Sequence, residues 1–145
     1  MKNKYCSDSV DLLLNKYISE KEAYDHVPTL IYDIFLHNTN TIIGNVDLRL
    51  LMNEYMYFYG HIGYFINNEY RGHNYAFEAC KLIKTIAKDE YDMKELIITC
   101  NPDNIASYKT LEKLGCLYCG IEDVPKNHVL YLKGEKKKAI FKLNL

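Results

Sequence analysis

Hydrophobic and polar residues alternate along the first half of the chain in a pattern typical of half-buried β-strands. Within Thr29–Leu36, every second residue from Leu30 onward is apolar and would face one side of a sheet. The turn-forming residues Asn38-Thr39-Asn40 follow, and a second alternating segment spans residues 41–51. The two segments predict an antiparallel hairpin, with one apolar and one polar face on the second strand: Val46, Leu48 and Leu50 against Asn45, Asp47 and Arg49.

A strand, a helix and another strand are predicted in the middle of the chain. We expect the first strand at about residues 57–66 and the helix at about residues 75–89. Residues 96–100 form a continuous apolar run, typical of a strand covered on both faces. This order predicts a parallel crossover unit. The apolar residues of the helix recur at the spacing of one buried face: Ala76, Ala79, Cys80, Ile83, Ile86 and Ala87.

The remaining segments add strands and a second helix. Residues 10–17 fit either a strand or a helical turn, and we favour the strand. A helix is expected at Ile105–Leu114, because Asn104 can start it and Gly115 can end it. Two further strands are expected at Leu117–Asp123 and at residues 139–143.

Length and charge narrow the class of protein. The 145 residues fit one domain, residues 1–145. Because the formal net charge is −1, broad nucleic-acid binding is not expected. The apolar runs are strand-sized, so no membrane association is expected. Lys2 and Lys4 are not followed by an apolar core of the kind found in secretory signals, so we expect a cytoplasmic protein.

The cysteines point to reduced thiols rather than to a metal centre. Their number, five, is odd, and no secretion signal accompanies them. Cys116 and Cys119 form an isolated C-x-x-C pair without a second pair or nearby histidines. We therefore predict no metal site from the sequence.

A short turn at the start of the predicted helix has the properties of a phosphate cradle. It comprises Arg71-Gly72-His73-Asn74-Tyr75-Ala76 and follows a strand directly. The first N–H groups of a helix have no intrahelical partner and lie at the positive end of its dipole, so an anion is stabilised there. Gly72 and Ala76 permit close approach, and Asn74 tolerates positive φ.

These residues resemble the acetyl-coenzyme A signature Q/R-x-x-G-x-G/A of the GNAT acetyltransferase superfamily, with Asn74 in place of the central glycine. The segment from Asn104 to Gly115 resembles the family's second motif, N-x-x-(A/S) followed by E-K-x-G. The resemblance implies an α/β (α+β) fold with a mostly antiparallel central sheet, a parallel β-α-β core and flanking helices. It also implies an acetyl-CoA-dependent N-acetyltransferase that moves an acetyl group to a primary amine by direct attack in a ternary complex.

The resemblance also implies the cofactor-binding residues. Backbone groups of the strand would pair with the pantetheine arm, the turn would hold the pyrophosphate, and the second helix would hold the arm from the other side. A backbone N–H near Ile66 would meet the oxyanion. The residues are Tyr64, Phe65, Ile66, Arg71, Gly72, His73, Asn74, Tyr75, Ala76, Asn104 and Ser107.

Candidate catalytic residues are fewer. His61 is the preferred general base, because its intrinsic pKa lies near neutrality and it belongs to the strand that lines the acceptor site in the family. The alternative is a polar residue on an exposed strand face. Glu54 and Glu69 are weaker candidates in solvated loops. Leu111 occupies the position where many relatives have a tyrosine as general acid, so that role is unassigned.

Two questions stay open at this point. A non-catalytic sensor of acyl-CoA would show the same cofactor motifs, whereas a nucleotide-binding protein is less favoured because no G-x-G-x-x-G is present. The acceptor would be a small-molecule or peptide amine, and the sequence does not identify which one. Residues 10–27, 51–59 and 125–133 would shape its site, and they contain no recognisable motif. The protein would be a monomer or a homodimer.

Overall fold

Two antiparallel sheets, three α-helices and three short 3-10 helices make up the structure, a computed structural model that describes residues 3–145. The first sheet contains five strands: Lys4–Cys6 (β1), Val10–Ile18 (β2), Thr29–Leu36 (β3), Ile42–Arg49 (β4) and Ile62–Ile66 (β5). The second sheet contains three strands: Glu95–Cys100 (β6), Leu117–Asp123 (β7) and Lys137–Asn144 (β8). The α-helices are Tyr75–Tyr91 (α1), Ile105–Leu114 (α2) and Val129–Leu132 (α3).

The predicted hairpin is confirmed as the centre of the first sheet. The sheet follows chain order from β1 to β5, and β3 pairs with β4 in antiparallel register. Leu30, Tyr32 and Ile34 are buried on one face, whereas the residues between them are half-buried, as alternation requires. The fold class, a mixed α+β domain with mostly antiparallel sheets, is likewise confirmed.

Helix α1 packs its apolar face against the first sheet. Its buried residues match the predicted stripe, with one exception: Ala79, Cys80, Ile83, Ile86 and Ala87 are buried, and Ala76 is half-buried. Ala76 instead lies in the wall of a cleft at the start of the helix. The helix continues to Tyr91, two residues beyond the predicted end, and stops at Asp92 with a left-handed backbone.

The strand predicted for residues 57–66 begins later than expected. Met56–Phe58 form a 3-10 turn, held at its start by the bond from the Met56 N–H to Asn53 Oδ1 at 2.8 Å. Gly60 then takes φ +76°, and a Cβ there would lie 2.9 Å from the carbonyl oxygen of Ile97. The left-handed backbone at Gly60 interrupts the extended chain, so the strand is confined to Ile62–Ile66. A side chain at residue 60 would collide with β6, which explains the glycine at this position.

The expected parallel pairing of β5 with β6 is wrong as a continuous ladder. The two strands belong to different sheets, and all pairs within each sheet are antiparallel. They meet at one point, where the His61 N–H donates to the carbonyl oxygen of Ile97 at 2.7 Å. Beyond this junction the strands are not bonded to each other, which leaves room for the cleft.

Two short elements among the strands and α-helices were not predicted from the sequence. They are β1, with three residues, and α3, with four. Among residues 3–145, no helix is long and apolar enough to cross a bilayer.

Candidate functional site

A cleft of about 500 Å³ opens between β5, the start of α1 and one face of α2. Apolar and polar side chains both contribute to its wall. It brings together residues from two sequence motifs that are about thirty positions apart. The lining residues are Tyr64, Phe65, Ile66, Tyr70, Arg71, Gly72, Asn74, Tyr75, Ala76, Asn104, Ala106, Ser107, Lys109, Thr110 and Lys113.

The start of α1 presents unpaired backbone donors to this cleft. Asn74 has φ 64° and Gly72 has φ +86°, so the turn takes the left-handed geometry that was predicted for it. The first bond of the helix runs from the Glu78 N–H to the Asn74 carbonyl, which leaves the three preceding helical N–H groups without an intrahelical acceptor. No side chain in the described part of the chain caps this end.

Helix α2 begins differently. The Asn104 side-chain oxygen accepts the Ser107 N–H at 3.1 Å and caps the helix. The Asn104 side-chain amide nitrogen has no such partner among the described residues, and Asn104 lines the cleft. The cap thus orients a donor toward the cleft.

The edge of β5 supplies two more backbone donors. The Asn67 N–H donates to the Ile43 carbonyl, and the Arg49 N–H donates to the His61 carbonyl. Because hydrogen-bonded pairs alternate along an antiparallel ladder, the N–H groups of residues 63 and 65 also face β4. The N–H groups of Tyr64 and Ile66 therefore point away from β4, toward β6. No backbone acceptor pairs with either of them within residues 3–145. They are available to a ligand in the cleft.

Three basic side chains surround the same cleft. Arg71 Nε donates to the Ile66 carbonyl at 2.8 Å, and its guanidinium lies 5.1 Å from the centre of the Phe65 ring. Lys109 and Lys113 line the opposite wall on α2. The two lysines were not predicted as site residues, although their i, i+4 spacing on one helix face was a usable signal. The cluster favours an anionic ligand.

Two hydroxyl groups face each other inside the cleft. Tyr64 Oη donates to Ser107 Oγ at 2.9 Å, and burial raises the pKa of Tyr64 to about 12. Ser107 is itself buried. Leu111, at the position of the missing tyrosine, is fully buried in the core and supplies no polar group.

His61 lies at the junction of the two sheets and is not on an exposed strand face. It is 8% exposed, and its Nδ1 accepts the backbone N–H of Ile97 at 2.8 Å. Burial, with the nearby charge of Arg49, lowers the pKa of His61 to about 4. In the neutral ring that accepts at Nδ1, the proton is on Nε2. Neither nitrogen then has a free lone pair, a geometry that opposes the predicted role as general base.

An acidic side chain lies close to this junction. Asp47 faces Gly63 across the β4–β5 pair, and its Oδ2 would be 3.9 Å from a Cβ on that glycine. Burial raises the pKa of Asp47, and the charge of Arg49 opposes that shift. Arg49 is held by the Gly60 carbonyl at 2.8 Å. No hydrogen-bond donor to the Asp47 carboxylate is found among the described residues.

Two of the segments expected to shape the acceptor site are joined by a buried histidine. His128 is 3% exposed and stacks on Tyr55 with 3.9 Å between ring centres. Its Nε2 donates to the Tyr55 carbonyl at 2.9 Å, and its Nδ1 accepts the Leu130 N–H at 3.0 Å. The loop after β4 and the segment around α3 therefore form one wall.

Most of the predicted site residues lie together in the cleft. Its lining includes every predicted cofactor-binding residue except His73, which is exposed and packs near Tyr75 at 5.4 Å between ring centres. His61 also lies outside the lining. Glu54 and Glu69 are exposed, as expected for solvated loops.

The sequence is similar to that of known acetyltransferases. The profile described as Acetyltransferase (GNAT) domain matches residues 3–117. The uncharacterized N-acetyltransferase YnaD of Bacillus subtilis (strain 168) is 30% identical over 84 residues, which are 58% of this chain and 48% of that protein. The chain thus spans about half the length of this curated relative.

Solved structures show the same fold at low sequence identity. A candidate ribosomal-protein-serine acetyltransferase from Vibrio cholerae superposes over 100% of both chains with a TM-score of 0.69 and 18% identity. The ribosomal-protein-S5-alanine acetyltransferase from Vibrio fischeri covers 80% of this chain and 61% of its own, with a TM-score of 0.63 and 19% identity. The microcin C7 self-immunity acetyltransferase MccE, solved with acetyl-CoA and AMP, covers 81% and 61%, with a TM-score of 0.59 and 19% identity.

Proposed function

Because the chain belongs to the acetyltransferase (GNAT) domain family, whose members use acetyl-CoA, we propose that it transfers the acetyl group of acetyl-CoA to a primary amine. The amine would attack the thioester directly, in a ternary complex of protein, acetyl-CoA and acceptor. One observation carries the proposal. The same cleft offers free N–H groups at the start of α1 and along the edge of β5.

The two sets of donors suit the two halves of the cofactor. The uncapped end of α1, with Arg71, Lys109 and Lys113 nearby, would hold the pyrophosphate, because unpaired helical N–H groups and cations both stabilise phosphate charge. The N–H groups of Tyr64 and Ile66 would pair with the amide groups of the pantetheine arm and with the thioester oxygen. Asn104 would bind the arm from α2.

We assign acceptance of the amine proton to Asp47 rather than to His61. An amine must be unprotonated to attack, and a half-buried carboxylate with a raised pKa and no hydrogen-bond donor is a suitable base. Asp47 lies beside Gly63, one residue before the donor at Tyr64. His61 would act on the site indirectly, since it holds β5 against β6.

The hydroxyl pair suits the leaving thiolate. A thiol has a pKa of about 8.5, so a tyrosine whose pKa is raised to about 12 remains protonated while the thiolate leaves. Tyr64 and Ser107 would therefore stabilise the thiolate by hydrogen bonds, without full proton transfer. The two hydroxyl groups would take the role of the tyrosine that many relatives have at the position of Leu111.

The first experiment measures binding and turnover separately. Binding of acetyl-CoA is followed by the thermal unfolding midpoint, which a ligand at about 100 times its Kd raises by several degrees. Turnover is followed as thiol release with a panel of small amines, polyamines and peptides. Binding with turnover supports the proposal. Binding without turnover on any amine supports the acyl-CoA sensor instead, and no binding contradicts both functions.

Asp47→Asn tests the base, with Asp33→Asn as a matched control. Both carboxylates lie on the same face of the first sheet, but Asp33 is hydrogen-bonded to Asn15 and pairs with Asn45, which is two positions from Asp47 on the side away from the junction. We expect Asp47→Asn to lower kcat by about 100-fold and to leave acetyl-CoA binding unchanged. Equal losses in both variants would contradict the assignment.

The proposal extends to the protein's context. Residues 1–145 would form one domain, which the profile match over residues 3–117 supports. We also propose a cytoplasmic location, which the odd number of cysteines, five, supports. The protein would act as a monomer or homodimer on a small-molecule or peptide amine, without binding nucleic acid or a membrane.

A further inference from the structure

Three side chains with metal-binding atoms meet at the far edge of the first sheet, away from the cleft. They are Cys6 at the end of β1, Asp11 in β2, and His37 just after β3. One ligand atom from each lies within 4.8 Å of the other two. No metal site was predicted from the sequence, because His37 lies 26 positions after Asp11 and the three residues match no ligand spacing.

The backbone brings the three residues together. Cys6 and Asp11 are directly opposite each other in the β1–β2 register. The His37 N–H donates to the Ser9 carbonyl at 3.0 Å, which ties the end of β3 to the β1–β2 turn. Asn38, with φ 58°, turns the chain so that its N–H donates to Asp11 Oδ2 at 3.0 Å. The carboxylate is therefore oriented before any ligand binds.

The side chains already interact through exchangeable protons. His37 Nδ1 lies 2.7 Å from Asp11 Oδ1, and the Cys6 thiol also hydrogen-bonds Asp11. Asp11 is 3% exposed. Burial alone would raise the pKa of Asp11, but the hydrogen bonds to its carboxylate outweigh that effect, so the pKa is lowered. A carboxylate is thus present at neutral pH. Cys6 is exposed and His37 is partly exposed, so the site is open to solvent.

We propose that Cys6, Asp11 and His37 bind a zinc ion, with water in the fourth position. Zinc accepts thiolate, imidazole and carboxylate ligands in tetrahedral geometry, with bonds of about 2.0 to 2.3 Å. Calcium and magnesium prefer all-oxygen sites, so a sulfur and a nitrogen ligand select against them. The ion would take the place of the protons that now link the three side chains.

Binding requires a simple change in protonation. The Cys6 thiol releases one proton to solvent and binds as thiolate. His37 moves its ring proton from Nδ1 to Nε2 and binds through Nδ1, with no net change in charge. Asp11 binds through Oδ1 and keeps the Asn38 bond on Oδ2.

The test titrates zinc chloride into the reduced, chelator-treated full chain in competition with a chromophoric zinc indicator. We compare the unchanged chain with Cys6→Ser, His37→Gln and Cys119→Ser, since Cys119 is another exposed cysteine. We expect one equivalent to bind, with affinity reduced about 10-fold or more in the first two variants and unchanged in the third. Substitution with cobalt(II) should give a thiolate charge-transfer band that Cys6→Ser removes.

Three results would overturn the proposal. The first is that the unchanged chain does not bind zinc, and the second is that all variants bind it equally. The third is that only Cys119→Ser loses binding, which would assign the zinc to the C-x-x-C pair. Circular dichroism and thermal unfolding without zinc establish that each variant is folded. If Cys6→Ser and His37→Gln both fail to fold, the cobalt(II) spectrum of the unchanged chain decides the question, because absence of the thiolate band excludes a cysteine ligand.

Discussion

The imidazole of His61 accepts a hydrogen bond from the backbone N–H of Ile97 at 2.8 Å, at the point where the two sheets meet. The backbone N–H of the same histidine donates to the Ile97 carbonyl at 2.7 Å. One residue thus satisfies both backbone groups of Ile97. Beyond this point the strands are not bonded to each other, and the cleft occupies the space that opens.

We predict that His61→Ala destabilises the fold and that His61→Asn largely does not. Alanine leaves the Ile97 N–H buried without an acceptor, which costs about 1 to 3 kcal/mol, whereas the asparagine side-chain oxygen can replace Nδ1. The free energy of unfolding, measured in urea, checks this. Turnover by His61→Asn also distinguishes a positioning role from a role as general base. Retained activity fits the positioning role, whereas loss of activity with intact acetyl-CoA binding would support His61 as the general base.

A second prediction concerns acid stability. The pKa of His61 is lowered to about 4 in the folded state from 6.5, so the unfolded chain binds more protons between these values. Stability should therefore be complete above pH 6.5 and decrease as the pH falls toward 4, by about 3 kcal/mol from this group. Urea unfolding across this range should show a shallower pH dependence for His61→Asn. Parallel curves for the two proteins would contradict the assignment.

The turn before α1 allows a test of backbone strain. Asn74 has φ 64°, a region in which most side chains are strained. Asn74→Ala should lower stability by about 1 kcal/mol, and Asn74→Gly should maintain or increase it. Thermal unfolding with and without acetyl-CoA checks both effects. If alanine and glycine behave alike, the left-handed turn does not determine stability here.

The lysines on α2 should contribute to cofactor affinity through charge. Lys113→Ala should weaken acetyl-CoA binding several-fold at low salt, and the difference should diminish as salt screens the phosphates. Lys94→Ala is the control, because Lys94 lies outside the cleft and pairs with Asp92 on the surface. Calorimetric titration at two salt concentrations measures the effect. A loss that does not depend on salt would indicate packing against Phe77, 4.5 Å from the ammonium, instead of phosphate binding.

Tyr64→Phe tests the hydroxyl pair. Removal of the donor to Ser107 should reduce kcat by about 10-fold or more, with little change in acetyl-CoA affinity, because only the developing thiolate loses a hydrogen bond. Tyr70→Phe is the control, since Tyr70 lines the same cleft without a side-chain bond to Ser107. Equal effects of the two substitutions would argue against a role for the pair.

Local patterns in the sequence were sufficient for the elements that carry strong periodicity. The alternation around Tyr32 and the helical stripe around Ile83 each reflect burial on one face, so they predict both element type and orientation. The turn at Asn74 was predictable as well, because few residues other than glycine tolerate its backbone geometry.

Features that depend on long-range contact were not predictable in the same way. The break at Gly60 exists because β6 approaches within contact distance, and no local pattern reports that approach. The burial of His61 was not predicted, since the residue that it contacts, Ile97, is 36 positions away. The meeting of Cys6 with His37 likewise depends on strand register.

The uncapped start of α1 has a consequence for local order. In a capped helix, such as α2 with Asn104, a side chain of the chain itself completes the first turn. Helix α1 lacks that group, so the N–H groups of its first turn are left to bind water or an anionic ligand. The ligand then acts as the missing capping residue, and its binding energy is shared with the ordering of the first turn. Amide hydrogen exchange in this turn is thus a direct measure of occupancy.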